Sequence, residues 1–407
     1  MTNHAEIIAT EKQDAKGANP PIIWPQKANL LPKEIFVRPD VFEEELARIF
    51  YGKEWLMIAH EAEIPNIGDF KTTQVGRVPL LITRDNDGEI NVYYNACSHR
   101  GVQLETATSG NKLRFRCPYH SWLFNAKGDL IGCPNKPGDF PSDFDKSNYP
   151  LDRPRMAIVH GLILVTFNPE TPPIEEYLEG YIDKIAQVFG GDGNLRLLGA
   201  QKVVFHANWK TFHDNDTYHA GLLHTAFQML NWSGGSGHQT ANARGHRSYV
   251  GEVTLPEEVN RLKDPSLIEF KGEASECSSA SVRLFPISGM TRHLNTIGIR
   301  FANPISVDET EVHYTYFGRA EDDEEMIRHR VRQASNLLGP CGMVSMEDAA
   351  VFHRLHTAGT TPGNAVFLKG VTDDHGIPEE FQQSDEAANL PGWEHYRQTM
   401  GYPKEQS

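Results

Sequence analysis

Apolar and polar positions change period several times along this chain, and the changes divide it. Residues 1–30 are polar, carry Pro20-Pro21 and show little periodicity, so they read as an arm, free or wrapped on another subunit. Residues 41–50 then repeat apolar positions at helical spacing behind Asp40, which predicts a helix capped by that carboxylate. From Trp55 the texture is that of strands, at 70–75, 78–83 and 90–95, with turn signals at Pro65-Asn66-Ile67-Gly68 and Asp85-Asn86-Asp87-Gly88. Asn125-Ala126-Lys127-Gly128-Asp129 supplies another hairpin turn, 134–154 reads as a surface loop, and strand character returns over 155–167. Beyond the proline-marked boundary at 169–173, residues 174–189 read as a helix and 195–207 as a strand, followed by strands at 280–285, 291–301 and 310–319. The Gly-, Ser- and His-containing stretch 232–250 is expected to be a loop, plausible as a lid, and 321–338 a charged surface helix. In the polar tail 370–407, Trp393, Tyr396 and Tyr402 are candidate anchors to a neighbour. The expected organisation is an arm over 1–40, a small antiparallel β domain with its preceding helix over 41–168, and a second domain over 169–407.

Composition narrows the partners. The 407 residues, 39 % apolar and 23 % charged, suit a globular chain with a core in each of two domains. A net charge of -15 argues against nonspecific nucleic-acid binding and against a basic membrane patch. The opening MTNHAEIIATEKQDAKG lacks the pattern of a secretory leader, and the longest apolar passage, 156–167, is broken by His160-Gly161 and too short to span a bilayer. The expectation is a cytoplasmic protein with neither a membrane nor a nucleic acid as partner. Of five cysteines, Cys133, Cys277 and Cys341 are scattered and read as buried small apolar residues.

The remaining two carry chemistry. Cys97-Ser98-His99 and Cys117-Pro118-Tyr119-His120, seventeen residues apart, offer two thiolates and two imidazoles as two short pairs. Two Cys and two His are also a possible zinc set, but a zinc finger usually supplies its cysteines together and its histidines together. A supply of one Cys and one His from each loop suits a [2Fe-2S] centre in which one iron takes both thiolates and the other both imidazoles.

The segments CSHRG (97–101) and CPYHSWLFNAKGDLIGCP (117–134) resemble the cluster loops of Rieske proteins, above all the large subunits of ring-hydroxylating oxygenases. Ser121 stands where the family commonly has Gly, and leaves Cys97, His99, Cys117 and His120 as the implied ligands. The resemblance covers nearly the whole chain. It implies an α+β fold, a Rieske domain followed by a helix-grip-like (START-type) catalytic domain with a large antiparallel sheet.

A cluster that delivers electrons needs something to reduce. In NWKTFHDNDTYHAGLLH (208–224) a helix would put Asp216 and His219 on one face, with His224 beyond; read alone, the passage equally fits core histidines. It resembles the family's mononuclear-iron segment, with Asp216, Tyr218, His219 and His224 in matching places. GPCGMVSMED (339–348) resembles the segment that delivers the carboxylate, which puts Asp348 on the ligand position and Glu347 beside it as the competitor. Two His and one carboxylate form the usual facial set of non-haem Fe(II) oxygenases. In the family the aspartate three before the first histidine hydrogen-bonds that ligand and reaches a cluster histidine of the next subunit, the role implied for Asp216.

The implied reaction is oxygen insertion into an unactivated C–H bond or an aromatic ring, the ring being the main expectation, with O2 and electrons from NAD(P)H. No GxGxxG fingerprint follows a strand, so a separate ferredoxin and/or flavin reductase is the expected donor. A homotrimer, or an α3β3 assembly with a small subunit, is expected by resemblance. RLKDPSLIE, SMED and YHAGLLH look more like the oxygenases of benzoate-, salicylate- and terephthalate-type acids than those of plain hydrocarbons. A carboxylated ring needs a cation in an apolar pocket. Arg292, His293 and Arg300 are candidates, with the two arginines an even number apart on the predicted strand and therefore on one face, and Phe285, Met290, Met343 and Val344 are candidate lining. The alternatives are a Rieske monooxygenase that hydroxylates or demethylates a non-aromatic or amine substrate, and a pure Rieske electron-transfer protein, which would need residues 170–407 to lack iron.

Overall fold

The computed structural model describes residues 19–134, 140–191, 194–215, 233–254, 264–272, 278–371, 376–378 and 380–406. The chain forms two units, Met57–Thr171 and Met1–Leu56 with Pro172–Ser407.

Turn chemistry shapes the smaller unit. Its strands are β1 (Leu56–His60), β2 (Asp69–Val75), β3 (Val78–Arg84), β4 (Ile90–Tyr94), β5 (Ser109–Asn111), β6 (Arg114–Arg116), β7 (Leu123–Asn125), β8 (Leu130–Gly132), β9 (Arg155–Val159) and β10 (Leu162–Thr166). They form antiparallel sheets in the orders β4-β3-β2-β5, β6-β7-β8 and β9-β10-β1. Asp85 Oδ1 accepts the N–H groups of Asp87 and Glu89 and closes the turn after β3, with Gly88 at φ 83°. Asn125 does the same for Lys127 and Asp129 between β7 and β8. The stretch 155–167 is two strands rather than one, folded back at His160 (φ 47°) and Gly161 (φ 81°).

The larger unit is built on an eight-stranded sheet, ordered β11-β17-β16-β15-β14-β13-β12-β18. Its members are β11 (Leu195–Phe205), β12 (Ser233–Ala241), β13 (Arg247–Thr254), β14 (Ser279–Leu284), β15 (Ser288–His293), β16 (Thr296–Pro304), β17 (Thr310–Arg319) and β18 (Phe381–Gln382). Two expectations change here. The expected loop at 232–250 is the β12–β13 hairpin, turned by Asn242 Oδ1 accepting from Arg244 and His246 N–H groups. Its glycines mislead a hydropathy reading: a side chain at Gly237 or Gly251 would collide with the Tyr249 ring. The expected strand at 291–301 is a hairpin, β15 and β16, which turns at Leu294 (φ 52°) with no glycine or proline to announce it.

The α-helices of more than four residues described in this unit are α1 (Pro39–Glu45), α2 (Ile182–Phe189), α3 (Trp209–Asp214), α4 (Glu324–Gln333), α5 (Met343–Ala358) and α6 (Leu390–Met400). Arg38, not Asp40, is the residue before the first turn of α1; Pro39 opens the helix and Asp40 sits inside it, paired with Arg38. The helix groups with the larger unit rather than the smaller one. Glu45, fully buried, accepts from Trp209 Nε1 at 2.8 Å, from the equally buried Lys210 and from Tyr396, so one carboxylate ties α1, α3 and α6. Trp393, Tyr396 and Tyr402 are buried in their own chain instead of reaching for a neighbour, and Trp24 stacks on Tyr402. The helix expected over 174–189 breaks at Gly180 (φ 76°). α4 is not merely a surface helix: Arg330 is buried, with Nε on Asp322 at 2.7 Å and Nη1 on the Asn295 carbonyl. Among the described residues no helix is long and apolar enough to cross a membrane.

Candidate metal centres

The loop after β4 and the loop between β6 and β7 are closed in one way. Cys97 N–H donates to Val102 O and Gly101 N–H returns to Cys97 O; Cys117 N–H donates to Trp122 O and Ser121 N–H returns to Cys117 O. Gly101 (φ 71°) and Ser121 (φ 57°) hold the same place, four residues after their cysteine, and both are left-handed. That conformation is why glycine is common there, and a serine bears it at a modest strain cost.

These turns bring the four expected donors together. The thiols of Cys97 and Cys117 are 2 % exposed and hydrogen-bond to each other; burial, then the second thiol, pushes Cys97 above its ordinary pKa. The rings of His99 and His120 lie 4.7 Å apart, and His99 stacks on Trp122 at 4.6 Å. Partial burial, then His120 and Arg100, hold His99 below its ordinary pKa, which favours the neutral imidazole a metal requires. His120 Nδ1 is buried without a hydrogen-bond partner among the described residues. A thiol pair inside and an imidazole pair outside fit a [2Fe-2S] group that takes two of each. Trp122 belongs to the apolar core beneath, with Leu104, Phe124 and Leu130, so the loops stand on a packed base.

In the larger unit Asp216, Tyr218, His219 and His224 lie outside the described residues, as does Cys277. What precedes them is anchored. α3 ends at Asp214, whose Oδ1 accepts from Trp393 Nε1 at 2.7 Å, and the carbonyls of Phe212 and His213 accept from Arg283 and Arg247. Of the two acids on α5, Asp348 is buried and Glu347 only half-buried, as expected of residues turned about 100° apart on a helix. A buried carboxylate facing polar groups is a fitting donor for a mononuclear iron. Asp348 is close enough to Tyr314 to help raise that phenol's pKa, although burial is the larger cause. Met343 and Val344 begin the same helix.

Strand register separates the substrate candidates. Arg300 of β16 pairs with Gly289 of β15, whereas Arg292 pairs with Ile297. Residues directly opposite share a face and neighbours along a strand alternate, so Arg292 and Arg300 point to opposite sides of the sheet. The hidden turn at Leu294 reversed the parity that the even spacing implied. Met290 shares the face of Arg292, with Ile299 and Val282, while His293 shares that of Arg300. On this second face Arg300 Nη2 donates to Leu338 O at 2.8 Å and the guanidinium lies 4.9 Å from the Tyr314 ring centroid. Phe285 is fully buried, edge-on to His213 and His395. Tyr314 is signalled in the sequence only by its alternation with Tyr316 within 310–319, and no local pattern marks Arg247 or Arg283.

Comparison with known proteins agrees with this layout. Residues 54–149 match the Rieske [2Fe-2S] domain and 193–366 the ring-hydroxylating alpha subunit catalytic domain. The chain is 34 % identical over 388 residues to the alpha 2 subunit of the terminal oxygenase component of terephthalate 1,2-dioxygenase from Comamonas sp, covering 88 % of this chain and 92 % of that one. It is 32 % identical to the large oxygenase component of salicylate 5-hydroxylase from Ralstonia sp, over 81 % and 84 % of the two chains. Naphthalene 1,2-dioxygenase from Rhodococcus sp. shares the fold, with a TM-score of 0.80 at 24 % identity over 91 % of this chain and 94 % of that one. The chain belongs to the Rieske ring-hydroxylating oxygenases: it is the alpha subunit of an aromatic ring-hydroxylating component that carries a [2Fe-2S] cluster and a mononuclear iron, in a family whose components use separate ferredoxin or reductase proteins and form oligomers.

Proposed function

We propose that this subunit hydroxylates a carboxylated aromatic ring, working in the cytoplasm as a homotrimer or with a small β subunit. The observation that carries the reading is Arg300, a partly accessible cation on the sheet face that also bears Tyr314, a phenol that feels the buried Asp348 as well. An unpaired carboxylate is costly to bury, and a guanidinium held by a backbone carbonyl and an aromatic ring is a prepared counter-charge. The relatives named for terephthalate and salicylate support an acid as substrate.

In this reading Cys97 and Cys117 hold one iron of the cluster and His99 and His120 the other. His219, His224 and Asp348 hold the mononuclear iron, and Asp216 orients His219. The bound iron supplies activation of O2, for which the cluster stores electrons from NAD(P)H by way of a donor protein. The chain's own work is placement. Arg300 fixes the acid end of the ring, Met343 and Val344 supply apolar wall, and Arg247 and Arg283 steady the end of α3 that leads to the histidines.

The test is product analysis with labelled O2, a reconstituted donor system and a panel of benzoate-, salicylate- and phthalate-type acids beside aniline and neutral hydrocarbons. Two labelled oxygens in one cis-diol, or in a catechol left by loss of carboxylate, mark ring dioxygenation of an acid; one labelled oxygen in a phenolic acid marks hydroxylation. Turnover confined to neutral rings or amines overturns the carboxylate reading.

A further inference from the structure

The register of the large sheet places one row of side chains across seven strands. Gln201, Tyr314, Arg300, Gly289, Arg283, Arg247 and Ala241 pair in succession from β11 to β12 and so stand on one face. The row is interrupted at its centre by a residue with no side chain. Among the described residues a Cβ at Gly289 would meet only the backbone oxygen of Arg300, at 4.0 Å, so they leave room above this buried position. Strands on either side of β15 are about 9–10 Å apart. The gap therefore has the width for a small anionic group reached by a guanidinium from each side.

The next row on the same face is Tyr316, Gly298, Thr291, Ser281 and Tyr249. Ser281 Oγ and Tyr316 OH are buried, at 8 % and 9 % relative exposure, and have no hydrogen-bond partner among the described residues. Within β14, β15 and β16, Arg283, Thr291 and Arg300 are the residues that retain partial accessibility while their strand neighbours are closed off. The partly accessible residues thus flank the buried Gly289 and stand beside the buried hydroxyls. Arg300 keeps one N–H on Leu338 O and Arg283 directs Nη1 at Phe212 O, which leaves each fork anchored and its orientation set.

We infer that the recess over Gly289 is the seat of the substrate's carboxylate, held between Arg283 and Arg300 with hydroxyls of Ser281, Thr291 or Tyr316 on its remaining lone pairs. A carboxylate offers about four acceptor positions, which two guanidiniums and a hydroxyl match. Arg292, on the opposite face, takes no part. This rests on the aromatic-acid reading above and names the place where the acid is read.

The test is calorimetric binding to the oxidised holoenzyme, without electron donor, of benzoate, salicylate and terephthalate beside the corresponding neutral amides. Wild type is expected to bind at least one acid ten times or more tighter than its amide. Gly289→Val, which a strand accepts, should abolish that preference by filling the recess, and Arg283→Gln and Thr291→Val should each reduce it, with the cluster spectrum unchanged in all. Should Gly289→Val fail to fold, Arg283→Gln and Thr291→Val decide. A wild-type preference that survives in the folded variants overturns the recess and spares the aromatic-acid reading; a wild type that prefers none of the acids overturns both.

Discussion

The two metal-handling regions are assembled in opposite ways. In the smaller unit four donors come from two loops whose cysteines are twenty positions apart, and each loop closes on itself through hydrogen bonds within five residues. In the larger unit the polar face that carries Arg300 and Tyr314 is gathered one residue per strand, and α3 is held by a carboxylate 165 positions earlier in the chain. Local assembly makes a site legible and self-contained. Assembly by register makes it depend on turns far from the chemistry, as Leu294 shows by reversing the side to which Arg292 points.

The largest effect expected from this contrast is confined to the smaller unit. Cys117→Ala removes a thiolate that no neighbour can replace, so the visible absorption of the cluster should vanish, while the mononuclear iron content of the larger unit stays near one per chain. Retention of the cluster spectrum would show that Cys117 is not a ligand. Joint loss of both metals would show that the two regions are not independent in the way their construction suggests.

Next in size is the choice between the adjacent acids of α5. Asp348→Ala should lose mononuclear iron and cut turnover by more than the roughly 10–100-fold typical of losing an outer partner of a metal ligand. Glu347→Ala, at a half-buried position, should keep both within a factor of about two, as most substitutions away from special features do. Iron loss in the second variant instead of the first would move the carboxylate ligand by one residue. Metal analysis and the cluster spectrum separate these outcomes from misfolding.

Legibility followed the same division. The hairpins at Asp85–Gly88 and Asn125–Asp129, and the Cys-His pairs, were open to reading because side chain and backbone act within a few positions. The β12–β13 hairpin was read as a loop because Gly237 and Gly251 are spaces for Tyr249, a partner that hydropathy does not show. Helix α1 groups with the larger unit because Glu45 finds Lys210, Trp209 and Tyr396 through tertiary contacts, which the order of elements along the chain does not show. Arg283 went unremarked because its neighbours in the sheet, Gly289 and Arg247, cannot be known before the strands are aligned.

A further variant probes how much the larger unit depends on such a distant contact. Lys210 and Glu45 are both fully buried, so Lys210→Met leaves a carboxylate without its cation and should cost about 3–5 kcal/mol of stability. Adding Glu45→Gln should recover much of that loss, since a neutral pair no longer requires a buried charge. Denaturant unfolding followed by tryptophan emission reads the effect, with cluster absorption as a separate report on the smaller unit. A single variant costing less than about 1 kcal/mol would mean that water or another cation replaces Lys210.

The smallest effect is a slope in pH. His246 is fully buried with Nδ1 accepting from Phe285 N–H and Nε2 facing the Tyr177 carbonyl, and burial, with lesser contributions from His395 and Arg244, lowers its pKa from 6.5 to about 3. His293 is lowered to about 4 by burial and Arg300, and His60 of the smaller unit to about 4 by burial. The unfolded chain takes up these protons near pH 6.5 and the native chain does not, so the unfolded state binds more protons in between. Stability is therefore full above 6.5 and falls as the pH drops toward 4, by about 1.4 kcal/mol per pH unit for each such histidine. With His213, His246 and His293 all buried and lowered in the larger unit, against the buried His60 and the exposed His99 in the smaller one, the larger unit should weaken first between pH 6.5 and 5. His246→Asn keeps an acceptor for Phe285 and cannot take up the proton, so it should remove one proton's share of the slope without changing the response of the cluster unit. An unaltered slope would mean that His246 is already protonated in the native state, or that acid opens the smaller unit first.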